Sequence, residues 1–333
     1  MLGNYLWRRA RRAGFALALL TAALALVLTG CSEDDASEPT ATTEATSTAS
    51  ATGSVEGTST ATPASIEVTD SSGETIVLEA PASRIVSHSP AATEILFAIG
   101  AGDLVVAADE YSNYPAEAES LPKVTYSTPD PEQDLAFDPD LVIFAGRQES
   151  SLDHFRELDL RVFYLEEPRD LEGVFANIRA LGQLTGHETQ AEAVVADMQA
   201  TLDEVAAAIA DVEEGPLVFW ELTEDLYTVS PDSFIGSALS FVKARNVAAG
   251  VDGDFPQLSS EAIVEANPDV ILMADAGFVD PAGVPDRAGW SAITAVANDA
   301  IYPVDGDVMS RPGPRIAQGI EDLARLLYPD RFE

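Results

Sequence analysis

Two stretches of the chain, 129 residues apart, carry one pattern. Glu132 to Phe144 reads EQDLAFDPDLVIF, and Glu261 to Met273 reads EAIVEANPDVILM. Each opens on a glutamate, places a proline seven residues later (Pro139, Pro268), then an aspartate, then an apolar run. A short helix leading into a buried strand fits both, and its recurrence divides the chain into two related lobes. The surroundings agree. Arg84 to Ser87, Leu104 to Ala108, Leu141 to Ala145 and Arg161 to Tyr164 are short apolar runs, with helical stretches such as Ala91 to Ile99 and Ser151 to Leu158 between them. Alternation of this kind predicts mainly parallel sheets covered by helices. It resumes with Leu217 to Trp220, Phe234 to Ala244, Val270 to Ala274, Ile301 to Val304 and a last helix over Pro314 to Leu327. Ahead of both, SIEVTD and ETIVLEA flank Ser71-Ser72-Gly73 and read as a β-hairpin.

Between the halves lies one long helical pattern. Ala191, Val194, Val195, Met198, Leu202, Val205 and Ile209 recur at three- and four-residue steps. Roughly 24 residues at about 1.5 Å each make a rod of about 36 Å, with Gly215-Pro216 as its stop. The expected architecture is α/β: two Rossmann-like lobes over residues 65–186 and 214–333, joined by a single helix over 187–213.

Residues 1–30 stand apart. Arg8, Arg9, Arg11 and Arg12 precede an apolar run from Phe15 to Leu28, too short to span a bilayer comfortably, and read as a secretory signal. LTGC then resembles a bacterial lipobox, which implies lipid on Cys31, the only cysteine of the chain. Residues 31–64 are rich in Ser, Thr, Ala and Glu and nearly devoid of large apolar side chains, the composition of an unstructured tether. The chain is therefore expected outside the cell membrane, held to it only by that lipid. Without a second cysteine the folded part has no disulfide, and roughly 270 residues suffice for a core.

The formal charge of −38 includes the four signal arginines; without them 14 basic residues face 56 acidic ones, near −42. Such acidity excludes nucleic acid as a partner, since phosphate demands a basic footprint, and fits a surface tuned to its solvent.

The stretch RIVSHSPAATEILFAIGAGDLVVAADEYSNYP, Arg84 to Pro115, concentrates the chemistry. Gly100-Ala101-Gly102 follows a helix and precedes a strand, the reverse of a dinucleotide loop, and fits a helix C-cap. VSHSPAA lacks both glycines of a GxSxG nucleophile elbow, so an α/β-hydrolase reading has little to stand on; Ser89-Pro90 suits a helix start. His88, His154 and His187 are too dispersed for a zinc site. No catalysis and no intrinsic cofactor or metal is expected. Ser87 to Pro90 does end a parallel strand, where open α/β sheets bind ligands. The other strand ends lead to Tyr111, Arg147, Trp220 and Arg311, with Tyr114, Tyr126, Tyr227 and Phe255 nearby. Flat aromatic area with polar tips suits a large planar or macrocyclic ligand.

Together with FDPDLVIFAG, PQLSSEAIVEANPDVILM and SRPGPRIAQGIEDL, this stretch resembles the periplasmic-type binding proteins of ABC importers for cobalamin, ferric siderophores and haem. The resemblance runs from about Ile66 to Leu327. It implies two lobes bridged by one rigid helix, a ligand held between them, and delivery to a dimeric permease with its ATPase subunits by a monomeric binding protein. The first stretch is most similar to cobalamin binders, so cobalamin leads, with ferric siderophore or haem as alternatives. By the resemblance Tyr111 lines the cleft, Tyr126 and Phe255 stand where the cobalamin binders carry tryptophan, and Glu132 and Glu261 meet permease arginines. His88 is a candidate axial ligand to a ligand-borne metal. Arg147 and Arg311 are candidates for ligand carboxylates, and Arg311 alternatively for a structural clamp.

Overall fold

A computed structural model describes residues 65–274 and 276–332; the expected signal segment, tether and lipidated Cys31 lie outside them. The described chain begins with an antiparallel hairpin, β1 (Ile66–Thr69) and β2 (Thr75–Leu78). Asp70 organises its turn. Its Oδ1 accepts the Ser72 and Glu74 N–H groups, while Oδ2 takes the Arg156 guanidinium at 3.0 Å and ties the hairpin to the first lobe.

That lobe holds a five-stranded sheet of β3 (Ile85–Ser87), β4 (Val105–Asp109), β5 (Lys123–Val124), β6 (Leu141–Ala145) and β7 (Val162–Leu165), in the order β5-β4-β3-β6-β7 and parallel throughout. The second lobe holds β8 (Leu217–Glu221), β9 (Arg245–Asn246), β10 (Val270–Met273) and β11 (Ile301–Pro303), in the order β11-β10-β8-β9, again parallel. Read from the other edge, β9-β8-β10-β11 repeats β4-β3-β6-β7. The central strands are buried almost without a break, as helices on both faces require.

The sequence repeat is a structural repeat. Each copy is a short helix, Pro131–Leu135 or Ser260–Ala266, that runs into a left-handed residue, Asp138 at φ +48° or Asn267 at φ +51°. Short polar side chains tolerate that conformation. The aspartate after the proline then fixes the neighbouring strand: Asp140 accepts the Ser83 and Arg84 N–H groups, and Asp269 accepts that of Leu217 at 2.8 Å. The registers agree too, with Ile85 opposite Leu141 and Val218 opposite Val270. Ser87 therefore corresponds to Trp220, and His88 to Glu221.

The connecting helix runs Glu188–Ala208 and buries Ala191, Val195, Met198, Leu202 and Val205. It packs against the first-lobe helix Leu171–Thr185 and the second-lobe helix Ile316–Leu327. It ends short of the expected stop at Gly215-Pro216. The Lys243 ammonium, from the second lobe, collects the carbonyls of Ile209, Ala210 and Val212 at 2.7, 2.9 and 2.8 Å, so the chain turns there.

Candidate functional site

The carboxyl ends of both sheets face one cleft. Near the connection of the lobes it holds a cavity of about 290 Å³ walled by Ser89, Tyr111, Tyr126 and Glu167 from the first lobe and Ser310 and Arg311 from the second. Past Tyr126, Gly146 and Ser310 it continues into a space of about 530 Å³ lined by Arg147, Asp254 and Phe255. A third space of about 470 Å³, beside Leu222, Gly306 and the fully exposed Phe278, shares Asp307 and Ser310 with the first. These are dimensions of small-molecule sites.

Tyr111 is set by the turn after β4. The Asp109 carboxylate, itself buried, accepts the Tyr111 N–H at 2.8 Å and the Ser112 hydroxyl at 2.5 Å. Burial raises the Asp109 carboxyl above its ordinary value, with the Ser112 hydrogen bond opposing. Lys123 holds the same loop through the carbonyls of Ser112 and Ala118. Tyr111 remains 55 % exposed and meets Tyr126 edge to face, ring centres 5.5 Å apart. Two phenol rings thus form an open aromatic corner at the mouth.

Glu167 borders both of the first two spaces and keeps an exposed edge. Its carboxylate fits because residue 146 is glycine at φ +61°; a Cβ there would lie 2.8 Å from Glu167 Oε2. Burial pushes the Glu167 carboxyl up, opposed by Arg147. Burial also raises the Tyr126 phenol, with Glu167 adding to the effect. Arg147 makes no ion pair among the described residues. Its guanidinium lies 5.3 Å from the ring centre of Phe255, across the cleft from lobe to lobe.

Arg311 lines the cavity but is already engaged. It reaches Glu94 at 3.2 Å, Asn113 Oδ1 at 2.7 Å and Asp307 at 2.7 Å. Arg315 adds two contacts to the same Glu94, at 2.8 and 2.5 Å, and stacks on Tyr114. A buried first-lobe carboxylate thus holds two second-lobe guanidiniums, and the clamp alternative is the one the geometry favours over carboxylate capture.

One expectation requires correction. His88 does not reach the cleft: its side chain is fully buried, stacked on Phe144 at 4.5 Å, with Nε2 2.8 Å from Asp134 Oδ2. The backbone turns at Ser89, so the residue before it projects back into the core, and an imidazole there meets no ligand-borne metal. Trp220 is 1 % exposed, because the strand β8 is covered on both faces, and it borders the third space beside Phe278 from beneath. Tyr227 is exposed on an isolated bridge to Gln257 and lines none of the three spaces. Glu132 and Glu261 are both exposed and occupy the second position of their helices, after the caps Asp130 and Ser259. Tyr111, Tyr126, Arg147, Phe255 and Arg311 line the first two spaces and Trp220 the third; His88 and Tyr227 line none of them. Sequence reasoning missed Glu167, Glu94 and Phe278. Only Glu167, in the polar run just after β7, carried a signal, since residues at parallel strand ends face the cleft.

With His88 buried, no histidine lines these spaces, and no cluster of three or more His, Cys, Asp or Glu suited to a metal ion occurs among the described residues. The cleft offers phenols, carboxylates, one unpaired guanidinium and aromatic faces.

A family model described as periplasmic binding protein matches residues 85–308. An uncharacterised ABC transporter substrate-binding lipoprotein, YvrC of Bacillus subtilis, is 32 % identical over 276 residues, 80 % of this chain and 87 % of that one. A cobalamin-binding protein of Halobacterium salinarum is 29 % identical over 77 % of this chain and 72 % of its own. Among solved structures, the periplasmic vitamin B12 binding protein of Vibrio cholerae is 28 % identical with a TM-score of 0.67, covering 76 % of this chain and 99 % of its own. The periplasmic heme-binding protein of Roseiflexus sp. RS-1 is 25 % identical with a TM-score of 0.67, covering 75 % and 99 %.

Proposed function

The chain belongs to the periplasmic binding protein family, as the substrate-binding component of an ABC importer, and on that premise we propose that its ligand is a corrinoid of the cobalamin class. The observation that carries the reading is the cleft wall. Tyr111, Tyr126 and Phe255 offer apolar faces from both lobes, and Glu167, with its carboxyl raised, and the two phenols offer hydrogen bonds to a neutral, amide-rich rim. A macrocycle whose metal is already enclosed needs no axial group from the protein, and this cleft has no imidazole to give. The similarity to cobalamin-binding relatives points the same way.

Haem is the second reading, supported by one observation: Arg147 is a cation without an ion-pair partner, placed to meet a ligand carboxylate. Delivery is to a permease dimer, with Glu132 and Glu261 as one carboxylate per lobe toward it, and Cys31 as the lipid attachment that keeps the monomer at the outer membrane surface. Charge complementarity of this type speeds and orients docking more than it adds affinity.

Calorimetric titration of the protein from Ser32 onward with cobalamin, haem and a panel of ferric siderophores tests the ligand. Cobalamin is expected to bind at about micromolar dissociation constant or tighter. Binding of haem alone, lost in Arg147→Met, would move the assignment to the second reading.

A further inference from the structure

His88 and Glu221 occupy the same place in the two lobes. Each follows from the register of its central strand against the strand of the repeated motif, β3 against β6 and β8 against β10. Each is a buried ionisable side chain in a position where parallel sheets carry apolar ones. And each leads to the short helix of its own lobe. In the first lobe His88 Nε2 lies 2.8 Å from Asp134, which stands on the helix of Glu132. In the second, Glu221 takes Arg287 through two contacts of 2.6 Å; Arg287 lies 4.6 Å from the ring centre of Trp290; and Trp290 Nε1 donates to Ser260 Oγ at 2.7 Å, on the helix of Glu261.

The two connections share no chemistry, yet join the same two places. The inner end of each is one residue from the cleft: Ser89 walls the inner cavity, and Leu222 lines the space beside Phe278. The outer end is the helix that presents the exposed glutamate. As packing, the first connection is poor. His88 Nδ1 and Asp134 Oδ1 are buried without partners, and an apolar pair of similar volume would fill the space at lower cost. What the polar pair adds is direction, since a hydrogen bond fixes the rotation of a five-residue helix that has too few turns to hold itself.

We propose that His88 through Asp134, and Glu221 through Arg287, Trp290 and Ser260, are paired positioning devices that fix each docking helix to the strand end beneath the cleft. The inference rests on reading Glu132 and Glu261 as the docking pair. Both glutamates are then presented to a two-fold partner in matched orientation, and a shift of either strand end on ligand capture is carried to the face that the importer meets. None of these six residues lines the cleft.

Hydrogen exchange of the full chain and docking to the reconstituted importer complex test it together. In Asp134→Asn, amides of residues 131–138 are expected to exchange about tenfold faster, and in Arg287→Met those of residues 260–267, each only in its own lobe. Docking is expected to weaken about tenfold in each while the dissociation constant for cobalamin stays within about threefold. His88→Gln, which keeps a donor toward Asp134, is expected to restore protection and docking relative to His88→Ala, an outcome that bare volume loss does not produce. Unchanged exchange in these segments, or ligand affinity falling in step with docking, overturns the proposal. Glu132→Ala with Glu261→Ala separates the two readings. If that pair leaves docking intact, the docking assignment fails and the relay with it; if that pair abolishes docking and Asp134→Asn and Arg287→Met do not weaken it, the relay alone fails.

Discussion

Tyr111 is held from behind by an aspartate and left open in front. That is the arrangement of a preset contact: the loop is ordered before ligand arrives, so little entropy is lost on binding. Tyr111→Ala is expected to weaken ligand binding by about 1 to 1.5 kcal/mol, roughly tenfold, by calorimetry, with the unfolding midpoint nearly unchanged. Glu167 gives a prediction of opposite character. Its carboxyl is raised in the folded state, so folding takes up a proton as pH falls toward the ordinary 4.5. Stability from this group is then fully present below that value and is lost as pH rises through the folded one. Glu167→Gln is therefore expected to be more stable than the parent at pH 7, with the difference shrinking to nothing near pH 4; thermal melts across that range would read it, and a constant offset would contradict it. At this scale the sequence was half legible. Position at a strand end led to Tyr111, Tyr126 and Arg147, which line the cleft, but it could not tell the last inward residue from the first outward one. His88 lies on the inner side of that one-residue boundary.

Elements were the more legible layer. Helical periodicity and strand alternation depend on local pattern, and parallel strands buried on both faces announce themselves as apolar runs. The repeat announced the pseudo-symmetry, because Pro139 and Pro268 each mark the same turn. The end of the connecting helix was not legible, since a lysine 35 residues farther on sets it. Lys243→Met keeps most of the stem and removes the ammonium from three carbonyls. It is expected to cost about 2 kcal/mol of unfolding free energy, measured by denaturant titration, with no change in ligand affinity.

Across the whole molecule, the lobes are joined by the helix, by Glu94 with Arg311 and Arg315, and by Arg169 with Asp254 and the Asp232 carbonyl. Several joints together leave little freedom to open. Scattering of the free and cobalamin-saturated protein is accordingly expected to give radii of gyration that differ only slightly. Glu94→Gln leaves the partly buried Arg315 without its anion and Arg311 with Asp307 alone, and is expected to destabilise by about 3 kcal/mol and to widen that difference. Of this clamp the sequence offered Arg311 alone; Glu94 looks like any polar residue on a helix and its partners lie 217 and 221 positions away.

The chain has two lysines in 333 residues, and each spends its ammonium on backbone carbonyls, Lys123 beneath the cleft loop and Lys243 at the end of the connecting helix. Amine-reactive reagents therefore meet a folded surface with almost nothing to acylate. Modification of either lysine requires that its cage of carbonyls first come apart, so the rate of labelling is a clock for local opening, one at the ligand's door and one at the hinge, supplied by the protein without an engineered probe.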